Sequence, residues 1–256
     1  MMPALPAAFL RTPLAHRAWH DVAAGRPENS VEAVRAAVDA GYGIEIDIQP
    51  SADGVPMVFH DHDLARLTGR PGRVAEMPAA ALSRLPLLGG REAIPTLARV
   101  LDEVAGRVPL LIEIKDQSGS GGPEVGALER AVARVLQGYA GPVAVMSFNP
   151  HSVAAFHAAA PDIAVGLTTA AYRPADYPEL LGAVCDHLRD IRDFDRVGAS
   201  FISHEAADLA RPRVAELKAR GAKVLCWTIR SPEAEAQARR VADNITFEGY
   251  AAAQHG

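Results

Sequence analysis

The residues of this sequence best placed to do chemistry are carboxylates at strand spacing. In Gly43-Ile44-Glu45-Ile46-Asp47-Ile48 the isoleucines alternate with Glu45 and Asp47, and a period of two sends the two sets to opposite faces of a strand. Glu45 and Asp47 therefore point the same way. Two carboxylates in so apolar a run repel each other and need a cation or a buried donor to be tolerated. Leu110-Leu111-Ile112-Glu113-Ile114-Lys115 repeats the pattern, with Leu111, Glu113 and Lys115 on one face. Glu45, Asp47 and Glu113 are hard oxygen ligands with no thiolate nearby, a set that suits Mg²⁺ or Ca²⁺ with water completing the coordination. Arg17 and Lys115 would set a guanidinium and an ammonium beside that divalent cation, which suits a phosphate group. His16 beside Arg17, and His60 in His60-Asp61-His62-Asp63, supply imidazoles able to take and give protons near neutral pH.

Elements that could bring these groups together follow from the alternation of strand and helix patterns. Strands are expected at residues 13–17, 43–48, 110–115, 143–148, 163–169, 199–204, 224–229 and 244–247. Helices are expected at 30–40, 95–105, 124–137, 150–159, 177–189, 208–220 and 232–240, with Ser30 and Thr96 as N-caps. Strands separated by helices have connections suited to parallel pairing, and eight of them predict a (β/α)₈ TIM barrel in one domain, residues 1–256. An open doubly wound sheet is the alternative, but no glycine-rich phosphate motif follows any strand. The helix due after the second strand is delayed, so about 50–94 read as a small insertion, with Val55, Met57 and Phe59 suggesting a hairpin-like flap. Residues 117–122, rich in glycine and serine, read as a mobile loop. In a barrel of this kind sites form at the C-terminal ends of the strands. His16 and Arg17 end the first strand, Glu45 and Asp47 the second, Glu113 and Lys115 the third, and Trp227 lies late in the seventh, so all are expected at one mouth.

Composition narrows the partners. The 256 residues are 49% hydrophobic, enough for a sizeable core, and the net charge of −5 argues against nucleic acid or an anionic membrane and for a small-molecule substrate. Cys185 and Cys226 are too few and too far apart for a disulfide framework or a zinc site. Cys226 reads as a packed barrel thiol, since no base is placed to activate it. No apolar run is long enough to span a bilayer and no basic residue precedes the short apolar run at the start, so a cytoplasmic protein without stable membrane insertion is expected. The oligomeric state is left open.

Taken in order, His16-Arg17, Pro27-Glu28-Asn29-Ser30, Glu45-x-Asp47, Asp53-Gly54 leading to His60-Asp61, and Glu113-Ile114-Lys115 resemble the glycerophosphodiester phosphodiesterases, bacterial cytoplasmic type. Weaker echoes follow in Ser147-Phe148-Asn149-Pro150, in residues 161–166, and in Cys226-Trp227-Thr228. The resemblance spans nearly the whole chain. It implies a (β/α)₈ barrel with an insertion after the second strand and metal-dependent hydrolysis of glycerophosphodiesters to sn-glycerol 3-phosphate and an alcohol. By position it implies Glu45, Asp47 and Glu113 as metal ligands, His16 and His60 as general acid and base, and Arg17, Lys115, Glu28 and Trp227 as substrate contacts, Trp227 being an apolar wall for glycerol. Asn29 matches the motif and also reads as a turn residue. Two positions depart from the family pattern: Ala18 stands where glycine is usual, and Phe247 follows Thr246 where an acidic residue is usual, so an acid is expected to be missing there. His20, His62, His151, His157, His187, His204 and His255 are expected to be surface or packing residues, with His62 near enough to His60 to line the mouth. The alternatives are a phospholipase-D-like or lysophospholipid-cleaving hydrolase on the same site, which calls for an apolar rim, and a non-catalytic phosphodiester-binding barrel. The latter would have lost a histidine or a carboxylate that is present here. The leaving alcohol, the choice between Mg²⁺ and Ca²⁺, and the choice between attack by water and attack by the glycerol 2-hydroxyl through a cyclic phosphate stay open at this stage. The histidine pair and the nearby hydroxyl favour the cyclic route.

Overall fold

The computed structural model describes residues 3–178 and 180–254. A short helix α1 (Ala8–Arg11) precedes β1 (Leu14–Ala15), α2 (Val31–Asp39) and β2 (Gly43–Pro50). Next come β3 (Pro56–Val58), α3 (Ala65–Thr68), α4 (Ala79–Leu82) and α5 (Leu97–Val104). From there the alternation is regular: β4 (Leu110–Ile114), α6 (Ala127–Leu136), β5 (Val143–Ser147), α7 (Pro150–Ala159), β6 (Ala164–Thr169) and α8 (Gly182–Arg189). β7 (Phe201–Glu205), α9 (Pro212–Ala219), β8 (Lys223–Ile229), α10 (Pro232–Ala238) and β9 (Asn244–Phe247) complete it. Strands β1, β2 and β4 to β9 pair in parallel, and β9 returns to β1, so eight strands close a (β/α)₈ barrel as the sequence predicts.

The alternation read in β2 sorts its two faces. Ile44, Ile46 and Ile48 pack outward against helices, in one cluster with Val34, Val100 and Ile112. Residues of the other set point into the barrel. At its lower end Leu14, Leu111, Phe201 and Leu225 fill the interior, and Phe9 of α1 joins them from below. β6 carries Gly166 because a Cβ there would come within 2.4 Å of the Phe201 ring. Helix α5 buries Leu97, Val100, Leu101 and Val104, the i, i+3, i+4, i+7 stripe of an amphipathic helix, and Thr96 Oγ1 caps it by accepting from Arg99 N.

The insertion leaves the barrel as a hairpin, β3 running antiparallel to the end of β2 with Ile48 opposite Val58. It then folds on a small core of its own, including Met57, Phe59, Leu64, Leu67, Val74 and Leu82. Some boundaries differ from expectation. β1 stops at Ala15, because Arg17 and Ala18 take left-handed φ of 52° and 64° and the chain turns so that both amides reach Glu45. Helix α8 begins at Gly182 rather than near 177, since Tyr177 and Leu180 pack with Tyr172 and Phe148 over the barrel mouth. Helix α9 starts at Pro212, after a 3₁₀ turn over Ala206–Asp208. The loop at 117–122 has no regular structure, but Asp116 gathers it by accepting from Ser118 N and Gly121 N. No helix among the described residues is long and apolar enough to cross a membrane.

Candidate active site

Register brings the carboxylates together. Asp47 on β2 lies opposite Glu113 on β4, and Glu45 sits two residues earlier on the same face of β2. Each offers an oxygen within 4.8 Å of those of the other two, and all three are buried. Lys115 Nζ stands 3.0 Å from Asp47 Oδ1 and 2.7 Å from Glu113 Oε1. Asn29 Nδ2 donates to Asp47 Oδ2 at 2.9 Å, and its Oδ1 accepts from Asp47 N at 3.3 Å, so this turn residue with φ of 58° also clamps a carboxylate. Among the described residues Glu45 has only a backbone donor, Arg17 N at 2.9 Å.

The electrostatics are unequal. Burial, with the nearby Asp47 and Glu113 charges, pushes the Glu45 pKa well up. Burial also acts on Asp47, but Lys115, His60 and Arg17 outweigh it and hold that carboxyl below its usual range. Burial works against the Lys115 ammonium, yet Asp47 and Glu113 raise its pKa overall. Three hard carboxylates with this spacing fit a divalent cation, because Ca²⁺ and Mg²⁺ take oxygens at roughly 2.0–2.6 Å. Glu45, which holds no ion pair among the described residues, is the group such an ion would relieve most.

Two imidazoles flank the trio, each held by a carboxylate on Nδ1. His60 Nδ1 lies 2.7 Å from Asp61 Oδ1 and His16 Nδ1 lies 2.5 Å from Glu248 Oε2. A carboxylate on Nδ1 favours the tautomer whose Nε2 lone pair is free to accept a proton. Burial and the Arg17 charge hold the His16 pKa below its ordinary value, against the pull of Glu248. The Glu248 carboxyl is driven far down, chiefly by its bond to His16. Gln49, itself buried, fixes the other histidine by donating Nε2 to His60 O at 3.1 Å.

His16, Arg17, Glu45, Asp47, His60, Glu113, Lys115 and Trp227 all line one cavity of about 210 Å³. Trp227 is pinned there by Nε1 donating to Ser203 O at 2.9 Å and by edge contact with Phe148. The hydroxyls of Thr168 and Thr246, also in the lining, are buried without a hydrogen-bond partner among the described residues.

Glu28 is not in this wall. It takes Arg17 Nη1 at 2.8 Å and both terminal nitrogens of Arg66, so it stands behind Arg17 rather than facing the cavity. Phe247 leaves no acidic gap: its ring packs outward between Tyr42 and Tyr250, and the next residue, Glu248, supplies the carboxylate. The alternation contained that signal, because Thr246 faces in and a residue two later does so too. His20 is closer to the site than expected, with Nε2 3.5 Å from Glu248 Oε2. His204 is a packing residue, bonded to Thr169 and Asp208, while His62 lines a hollow beside the cavity. His255 lies outside the described residues. Burial pushes the Cys226 thiol up to about 12, which removes it as a nucleophile.

The chain is similar to known proteins of one family. A profile of the glycerophosphoryl diester phosphodiesterase family matches residues 16–245. A putative glycerophosphodiester phosphodiesterase of Bacillus subtilis is 26% identical over 234 residues, covering 88% of each chain. The human glycerophosphodiester phosphodiesterase 1 is 34% identical over 100 residues, 35% of this chain and 29% of its own length. The structure of an Oleispira antarctica phosphodiesterase in complex with the product sn-glycerol-3-phosphate superposes with a TM-score of 0.75 at 26% identity, covering 94% of both chains.

Proposed function

Because the chain belongs to the glycerophosphoryl diester phosphodiesterase family, we propose that it hydrolyses glycerophosphodiesters to sn-glycerol 3-phosphate and an alcohol, using one divalent cation and two histidines. The observation that carries this reading is the pairing of two carboxylate-held imidazoles with three buried carboxylates around one cavity. A product complex of sn-glycerol-3-phosphate in the Oleispira antarctica relative supports the choice of product.

Glu45, Asp47 and Glu113 would hold Mg²⁺ or Ca²⁺, which when bound supplies positive charge to the phosphoryl oxygens. Arg17 and Lys115 add cationic donors for the same phosphate, and Glu28 with Arg66 keeps the Arg17 fork in place. Trp227 gives the glycerol carbons a flat wall, and the Thr168 and Thr246 hydroxyls, without a partner among the described residues, offer hydrogen bonds to glycerol oxygens. One imidazole takes the proton from the attacking oxygen and the other gives a proton to the departing alcohol. With Nδ1 held on Glu248 or Asp61, each works through Nε2.

The attacking oxygen in this reading is the glycerol 2-hydroxyl, which forms a cyclic phosphate that water then opens. An intramolecular hydroxyl gains a large effective concentration, and the two histidines exchange roles between the steps. The test compares glycerophosphoethanolamine with the same diester of 1,3-propanediol, which lacks the 2-hydroxyl. Release of sn-glycerol 3-phosphate from the first and none of the corresponding product from the second is expected. Comparable rates on both would assign the attack to water, and failure on the first and on every other glycerophosphodiester overturns the reading.

A further inference from the structure

Beside the 210 Å³ cavity lies a hollow of about 610 Å³, and the two share Glu113, Lys115 and Phe148 in their walls. They are adjoining chambers of one mouth. The smaller is below the ~300–1,000 Å³ of ordinary small-molecule pockets, while the pair together falls within that range. A glycerophosphate in the small chamber therefore leaves its ester substituent to go elsewhere, and the shared wall is the way out.

The larger chamber has a mostly apolar side: Phe148, Tyr172, Tyr177, Leu180 and Leu188. All five belong to or pack against the cluster that the segment after β6 forms with α8, which also supports Trp227. The facing side is polar, with His62 and Arg73 from the insertion and Asp116 from the loop after β4. Asp116 is committed to the protein, since its carboxylate accepts from Asn149 Nδ2, the amide and hydroxyl of Ser118, and Gly121 N. With that carboxylate occupied and Arg73 on the rim opposing the charge of Glu113, the apolar wall is the part of the chamber left to recognise a substituent.

We infer that the larger chamber holds the departing alcohol and is fitted to one with an apolar body of several carbons. The inference rests on the proposed function. A phosphate at the junction of the chambers, above Glu113 and Lys115, has its glycerol toward Trp227 and Thr246, which line the small chamber only. Its other ester oxygen is directed to the apolar wall.

The experiment measures kcat/KM for sn-glycerol 3-phosphate diesters of ethanol, butanol, hexanol and octanol, alcohols of nearly equal acidity. The expected result is a rise of roughly two- to fourfold per added methylene until the chamber is filled, the fold-change that burying a CH₂ brings. A second series carries the same chains as ethers on the glycerol 1-hydroxyl of glycerophosphoethanolamine, and there no rise is expected. Leu180→Asp, which puts a charge into the wall, should flatten the slope of the first series. A flat first series with the ethyl diester turned over would overturn this inference alone, as would a rise confined to the second series. No turnover of any diester would overturn the catalytic reading and this inference with it.

Discussion

At the scale of single residues, the site depends on groups that hold other groups. Glu248 does not line the small cavity, yet it fixes the tautomer and direction of His16, and Asp61 does the same for His60. Glu248→Gln keeps the shape but replaces a charged acceptor with an amide. It should lower kcat at least about tenfold, part of the roughly 10²–10⁴-fold that positioned proton transfer supplies, with KM little changed. His16→Ala should lose the whole of that factor, and a Glu248→Gln enzyme with wild-type kcat would remove the carboxylate from the mechanism. Ala18 shows how a departure from a family pattern is absorbed. Its left-handed φ of 64° carries a cost of about 1–2 kcal/mol for a residue with a Cβ, and burying its methyl returns about 0.8 kcal/mol.

At the scale of elements, the insertion is the part most separable from the barrel and carries His60 on its first turn after β3. Its position depends on the small core beneath it and on the bond from Gln49 to His60 O. Leu82→Ala should cost about 2–5 kcal/mol in that core. The barrel has its own interior and shell, so the loss should appear as faster proteolytic cleavage within residues 50–94 and as lost activity, while far-UV dichroism stays near wild type. Cleavage spread evenly over the chain would show instead that insertion and barrel unfold together. The β2 to β4 register matters in a different way. It places Asp47 beside Glu113, and a slip of β2 by one residue would turn Glu45 and Asp47 out of the barrel and leave Glu113 alone.

At the scale of the whole molecule, what could be read from the sequence was what periodicity controls. Ile44, Ile46 and Ile48 against Glu45 and Asp47 announced an inward acidic face, and the repeated strand and helix patterns announced the closed barrel. Glu248 is hidden because the acidic position of the family pattern falls on Phe247, while the alternation continues one residue beyond the strand. The start of α8 escaped because Tyr177 and Leu180 are withdrawn from a helix by contacts with Phe148 and Tyr172, distant in sequence. The larger chamber was illegible for the same reason, since its lining comes from the insertion, from the loops after β4, β5 and β6, and from α8. The place of Glu28 behind Arg17 depended on Arg66, a residue of the insertion. The central claim is that Glu45, Asp47 and Glu113 hold the cation on which diester cleavage depends, and metal depletion followed by add-back tests it most directly. Protein stripped with chelator and returned to chelator-free buffer should release no sn-glycerol 3-phosphate from glycerophosphoethanolamine, and Mg²⁺ or Ca²⁺ should restore the activity saturably; full turnover in excess chelator would contradict the account.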